Sequence, residues 1–382
     1  MRLLTAGESH GPGLIAIIDG VPAALALGPA DIDPDLHRRQ LGYGRGARQR
    51  IERDTVTITG GVRHGRTTGA PIALQIPNRD AVNWERVMSV EPVPDPPAPV
   101  TRLRPGHADL AGALKYAHED VRDVIERSSA RETAARVAAG AVAKAILRVV
   151  GMEVRSETRA IGDVESTPGF ESALVEASEV RCADRASSVA MVEAIAKARE
   201  AGDTLGGIVA LRVFGVVAGL GASAQWDRRL DGRLAQALVS IQSAKGVQFA
   251  DAFAAARERG SAVHDPITVR EGRFARTRNR AGGLEGGMTN GEDILLDVAF
   301  KPISTLMKPL ESADLRTGAP APAHVERSDV CIVPAAGVVA EAMLAFVLAD
   351  ALLDKFGPDN VDDLAAAVER YRARLRPIDQ RR

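Results

Sequence analysis

The sequence predicts an α+β fold. Strand-like segments come in clusters instead of alternating strictly with helices, and the helical stretches between them are long and strongly periodic. The composition is that of an ordinary folded chain: 45% of the 382 residues are hydrophobic and 26% charged. The 36 glycines and 21 prolines make about 15%, well below the ~25% of low-complexity chains.

Along the chain, Leu14 to Ile18 reads as an apolar strand and Asp54 to Gly60 as an alternating one. Helical spacing covers Asp109 to Glu126. Ser129 and Glu132 form the pattern of a capping box, and apolar positions from Ala134 to Val149 continue the helix until Gly151 stops it. Helices follow at Ser187 to Ala201 and Gly232 to Ile241, with strands at Ile208 to Val217 and Ile294 to Phe300. Two more helices are expected at Gly337 to Lys355 and Val361 to Leu375. The greasiest stretch, Ala335 to Leu353, carries Glu341 and Asp350 and is expected in the core, not in a bilayer.

Glu91 to Val100 holds five prolines in ten residues and must be an extended loop. Because similar elements lie on both sides, it reads as a surface loop within a single domain spanning 1–382, which ends in an arginine-rich tail at 370–382. Cys182 and Cys331 are the only cysteines and form no CxxC pair, so neither a disulfide framework nor a zinc knuckle is expected. No metal site is expected either. The first residues, Met1 to His10, contain no secretory apolar run, and a reducing cytoplasm is the expected location.

A net charge of −1 excludes a global field that would recruit nucleic acid or an anionic membrane. Anion binding must therefore be local. Arg38, Arg39, Arg45, Arg48, Arg50 and Arg53 crowd around Gly42, Gly44 and Gly46, and tight glycine turns let several guanidiniums face one small target. The chain is only 3% aromatic and this run offers only Tyr43, too little of a stacking platform for RNA. A small polyanion fits better than a solvated basic loop. Arg127-Ser128-Ser129-Ala130-Arg131 lies where a helix begins, a position that favours phosphate. Gly282 to Gly291 holds five glycines, which permit close backbone approach to a ligand, but it follows no strand and opens no helix as a dinucleotide fingerprint would. His10 and His107 both sit in glycine-framed turns, where a histidine can donate a proton near neutrality.

Three strings are more specific. Gly7-Glu8-Ser9-His10-Gly11-Pro12-Gly13, Arg127 to Thr133, and Arg327-Ser328-Asp329-Val330-Cys331-Ile332-Val333-Pro334-Ala335 resemble, in this order, the three signature regions of the chorismate synthase family. Gly42 to Gly46, Arg104 to Asp109, Lys245 to Val247 and Gly282 to Gly291 are similar to further family segments, so the likeness covers about residues 1 to 356. The 91–100 loop and the tail match nothing in it.

The resemblance implies a β-α-β sandwich, with helices packed between antiparallel sheets, and a cytoplasmic homotetramer. It implies a lyase of the shikimate pathway that eliminates phosphate from 5-enolpyruvylshikimate 3-phosphate to give chorismate. Reduced FMN would be required without net redox change; NADPH is a candidate external reductant, and whether the enzyme reduces its own flavin is left open. By position, Arg39, Arg45, Arg48, Arg104 and Arg131, together with His10, would hold the substrate anions. Arg39 and Arg45 also match a nicotinamide-nucleotide assignment in some descriptions; the substrate role is preferred. Arg127, Ser128, Ser129, Gln242, Ser243, Gly286 (or its neighbour Gly287), Lys301, Pro302, Ile303, Ser304, Thr305 and Arg327 would hold FMN. The family's catalytic roles carry over to His10, which would protonate the departing phosphate, to His107 beside the flavin ring, and to Asp329, assisting proton removal through flavin N5. Neither a flavin oxidoreductase nor an arginine-rich nucleic-acid module accounts for His10, His107 and Asp329 beside glycine loops as well.

Overall fold

The computed structural model describes residues 1–46, 52–270, 273–326, 328–357 and 359–375. Two antiparallel sheets enclose a layer of helices, so the α+β expectation and the sandwich implied by the resemblance both hold. The first sheet contains β1 (Arg2–Ala6), β2 (Gly13–Asp19), β3 (Thr57–Gly60) and β4 (Ile72–Pro77) in the order β1-β2-β4-β3. The second contains β5 (Glu153–Ile161), β6 (Val164–Glu165), β7 (Gly207–Phe214), β8 (Ala244–Phe249) and β9 (Ile294–Phe300) in the order β8-β9-β7-β5-β6.

In β2, Leu14, Ala16 and Ile18 point inward while Ile15, Ile17 and Asp19 face out, the period-two pattern of a half-buried strand. The inward face meets α4 (Thr133–Val149), and α7 (Val333–Phe356) packs between α4 and strands β5 and β7. One hydrophobic cluster runs from Leu14 and Ile72 through Val142 and Leu344 to Val209 and Val298. By length and composition α7 passes for a membrane span, yet sixteen of its 24 residues are buried inside the protein, as expected of a central core helix.

The two central helices meet at small residues. A Cβ placed on Gly140 of α4 would lie 2.2 Å from Ala342 Cβ and 2.4 Å from Ala342 Cα on α7. Gly140→Ala gains at most ~1 kcal/mol of helix propensity but forces apart a backbone contact, a cost of about 1–3 kcal/mol or more. We expect a lower Tm for Gly140→Ala in thermal denaturation; an unchanged or raised Tm would mean that the crossing is looser than described.

Buried Glu341 on α7 ties these helices to α1 (Pro29–Gln40). It accepts from Arg38 Nη1 at 2.9 Å, Lys144 Nζ at 2.7 Å, Ser156 Oγ at 2.6 Å and Arg181 Nη2 at 3.3 Å. Burial opposes its ionisation, but the three cations prevail and hold the carboxyl well below the usual range. This network seats the helix whose next residue, Arg39, reaches the site described below.

Two local expectations differ. Asp109 to Glu126 is not one helix: α2 (Asp109–Tyr116) ends at left-handed Ala117, and α3 (Arg122–Ser128) starts after Asp120, whose Oδ1 accepts from the backbone N–H groups of Arg122 and Val100 at 2.9 Å each. The capping box does not form either. Ser129 Oγ accepts from Arg131 N at 3.3 Å at the start of a 3₁₀ turn, while Glu132 is drawn to Thr5, Arg136 and Gln242. Partners on other elements outcompete the local bond. The remaining long helices are α5 (Arg185–Glu200), α6 (Leu230–Val239) and α8 (Val361–Arg374), each within two residues of its expected range; short helices at Ser172–Ala177, Ala252–Ala255 and Gly260–Val263 were not expected. Residues 91–100 carry no helix or strand.

Candidate active site

Gly7 begins the site, because its φ of +103° and a would-be Cβ 2.3 Å from Gly13 O leave room only for glycine. The turn it permits carries Ser9 and His10 off the end of β1. Buried Asn78, just past β4, braces that turn through bonds from Nδ2 to the carbonyls of Glu8, Ser9 and Gly11. Its Oδ1 accepts from Arg131 Nε at 2.9 Å, so one amide links the first turn to the arginine after α3.

His10 and Trp84 stack with ring centroids 3.9 Å apart. Behind the histidine, Glu126 Oε1 and Oε2 lie 2.9 and 3.0 Å from Nδ1, and Oε2 also accepts from the His10 backbone N–H at 2.8 Å. Burial opposes ionisation of Glu126, but its hydrogen bonds with His10 outweigh this and lower its pKa.

Arg39 and Arg131 are both buried and share Asp54. Arg131 Nη1 reaches Asp54 Oδ1 and Oδ2 at 2.7 and 2.8 Å, and Arg39 Nη1 lies 3.4 Å from Oδ2. Arg39 also donates to Thr133 Oγ1 and to the carbonyl of Ala130. Burial, helped by the nearby Arg131 and Arg45 charges, brings its pKa down to about 9, so it remains a cation at neutral pH.

Arg104, His107 and Asp109 form a third cluster at the head of α2. Buried Asp109 accepts from Arg104 N at 3.1 Å, Nε at 2.9 Å and Nη2 at 3.1 Å, and very closely from His107 Nδ1. Burial opposes its ionisation, yet the bonds from His107 and Arg104 bring its pKa down to about 2. On the facing wall, Arg45 Nη1 pairs with Asp329 Oδ2 at 3.0 Å and the Gly46 N–H donates to Asp329 Oδ1 at 2.5 Å.

These clusters line one cavity of about 860 Å³, towards the upper end of the ~300–1,000 Å³ usual for small-molecule sites. Arg39, Arg45, Arg104, Arg131 and Lys301 line it together with the carboxylates Glu52, Asp80, Glu326 and Asp329. Five buried side-chain polar atoms among the described residues lack a hydrogen-bond partner; Ser166 Oγ and Asp251 Oδ1 lie elsewhere, while Arg45 Nε, Arg131 Nη2 and Gln242 Oε1 belong to residues of the cavity lining. Buried polar atoms of that kind are normally satisfied, so a polar, anionic ligand is the natural partner for the two guanidiniums. No group of three or more acidic, histidine or cysteine side chains among the described residues could hold a metal ion.

The profile of the family described as chorismate synthase matches residues 1–353. The chorismate synthases of Rubrobacter xylanophilus and Symbiobacterium thermophilum are 54% and 53% identical to this chain, over 97% and 100% of it and 96% and 100% of their own lengths. A crystal structure of a chorismate synthase superposes with a TM-score of 0.79 at 39% identity, covering 98% of both chains. The chain belongs to the chorismate synthase family. It is therefore an enzyme, a lyase.

Of the residues matched to that family, the cavity brings together His10, His107 and Asp329, the arginines at 39, 45, 104 and 131, Ser128, Ser129, Gln242 and Ser243, and Lys301, Ile303, Ser304 and Thr305. Arg48 and Arg327 lie outside the described residues. Three others do not line the cavity. Pro302 lies between lining residues, Arg127 turns back to the carbonyls of Thr5 and Gly7, and Gly286 occupies the tip of a short hairpin, Leu284–Glu285 with Met288–Thr289. Sequence reasoning missed Asn78, Asp54, Glu126, Trp84 and Asp80. Glu126 adjoins a motif; the other four stand in no pattern and acquire their roles only through long-range contacts.

Proposed function

We propose that this enzyme carries out the anti-1,4-elimination of phosphate and a C6 hydrogen from 5-enolpyruvylshikimate 3-phosphate, giving chorismate in a reaction dependent on reduced FMN but without net redox change. The observation that carries the reading is convergence: His10, the Arg127–Arg131 segment and Asp329, more than three hundred residues apart at the extremes, contribute to one arginine-lined cavity.

The substrate's two carboxylates and phosphate bring nearly four negative charges at pH 7. An exposed ion pair contributes only ~0–1 kcal/mol, so such a ligand needs guanidiniums converging in a partly desolvated cavity, where each pair counts for more. Arg39, Arg45, Arg104 and Arg131 meet that need, with Asp54, Asp109 and Asp329 holding them in place. The wall formed by Ser128, Ser129, Gln242, Ser243 and Lys301 to Thr305 suits a flavin mononucleotide, with hydroxyls and an ammonium for its phosphate and the unpartnered Gln242 Oε1 as an acceptor. Reduced FMN, when bound, supplies electron density that assists loss of the phosphate.

In the elimination the C3–O bond breaks, the C6 proton leaves, and its electron pair completes the ring diene. Imidazole Nε2 of His10 delivers a proton to the departing phosphate, and the Asp329 carboxylate is the base on the other wall. His107 serves the flavin side. We read the chain as one domain, supported by the continuous hydrophobic cluster, and as a cytoplasmic homotetramer on the strength of the family likeness.

Anaerobic assay of the purified protein with photoreduced FMN and no nicotinamide is expected to release phosphate and form chorismate. Oxidised FMN should give no turnover; equal rates with both flavin states would refute the reading.

A further inference from the structure

Each cavity histidine is backed by a buried carboxylate on its Nδ1 side. Glu126 approaches His10, and Asp109 approaches His107, where it also holds three nitrogens of Arg104. A carboxylate that is ionised only accepts, so a ring nitrogen at hydrogen-bond distance from it must carry a proton. Both carboxyls are held below their usual range and are ionised at neutral pH. Arg104 Nη2 also lies 3.1 Å from His107 Nδ1, but it cannot donate to a nitrogen that is itself donating; this is a close approach beside the Asp109 bond.

We propose that Glu126 and Asp109 are positioning residues that fix Nδ1 as the protonated nitrogen of His10 and His107, so that each ring exchanges protons with a ligand through Nε2. The inference rests on the proposed function for what the histidines act upon, but the tautomer itself does not. Carboxylates that orient and fix a neighbouring imidazole act in this way in other enzymes, and the wrong tautomer there is costly even when the geometry survives.

Asp109→Asn tests the assignment because its outcome can be derived. Oδ2 serves the backbone N–H and Nε of Arg104, whereas Oδ1 faces His107 Nδ1 and Arg104 Nη2. An amide accepts on one side only. With its oxygen retained by the Arg104 backbone and Nε, its NH₂ turns toward His107, which must then accept at Nδ1 and carry its proton on Nε2.

Ring nitrogen–proton correlation spectra of ¹⁵N-labelled enzyme, taken where the rings are neutral, read the tautomer directly. His10→Gln and His107→Gln assign the signals. The wild type is expected to show Nδ1–H at both rings. Asp109→Asn should invert His107 alone and lower kcat by about 10²-fold or more, with KM for the substrate within about threefold. Glu126→Leu should abolish the preference at His10. Nε2–H at either ring in the wild type overturns the proposal, as does Asp109→Asn with unchanged tautomer and kcat. If Asp109→Asn fails to fold, the wild-type spectrum decides. Because the spectrum needs no turnover, absence of chorismate formation would sink the elimination reading and leave the tautomer assignment standing.

Discussion

Asp329→Asn is expected to slow single-turnover chorismate formation by about 10²-fold or more, the usual scale for losing a positioned base and about 2.7 kcal/mol of barrier. The carboxylate sits on the cavity wall with Oδ1 on the Gly46 N–H and Oδ2 on Arg45 Nη1. An asparagine matches its size but accepts on one side only, so it keeps Gly46 or Arg45, not both. Arg45 retains its charge in either case, and substrate affinity should fall only several-fold. The expected pattern is therefore a large loss in kcat with a small change in binding, measured anaerobically with saturating reduced FMN and substrate. A near-normal rate would remove Asp329 from proton transfer. A normal rate with weakened flavin binding would leave it a purely structural partner of Arg45.

His10→Ala carries the second large effect, a fall in kcat of about 10²-fold or more from loss of the proton donor to the departing phosphate. Truncation has a structural consequence as well. It deletes the stack on Trp84 and strips buried Glu126 of its closest ring partner, leaving the side chain with the His10 backbone N–H at 2.8 Å and Arg122 at 3.4 Å. Removing one partner of a buried charged hydrogen bond costs roughly 1–3 kcal/mol, so a lower Tm should accompany the lost activity. His10→Gln separates the two effects: it can still bond Glu126 but cannot transfer a proton. Equal kcat losses in both variants, with stability recovered only in His10→Gln, support the acid role. A His10→Gln enzyme within a few-fold of wild type would show that His10 serves only to hold the loop.

Helix α7 and strand β9 were legible from local pattern because long apolar runs with a clear period report burial directly. The same logic failed where no period exists. Strands β1, β4, β5 and β8 were not anticipated. β1, β4 and β8 run only five or six residues, and β5 carries Glu153, Arg155, Glu157 and Arg159, charges that dilute its apolar pattern. The break between α2 and α3 depends on Asp120 capping two backbone groups, one of them Val100, which lies twenty residues upstream. No periodicity within the helix announces that.

The site divides along the same line. Glycine-framed histidines, a serine-arginine segment leading into α4 and an arginine run around glycines are local features; by themselves they pointed to residues suited to a polyanion and to proton transfer. Tertiary structure alone decided which of them meet. Asn78 binds the first turn to Arg131, Asp54 pairs arginines that arise from separate elements, and Glu126 and Asp109 settle which nitrogen of each histidine bears the proton. Those partners have no signature of their own. The physical reason is that a carboxylate or amide acquires its role from the donors placed around it at about 3 Å, and that placement is set by how the two sheets close on α4 and α7.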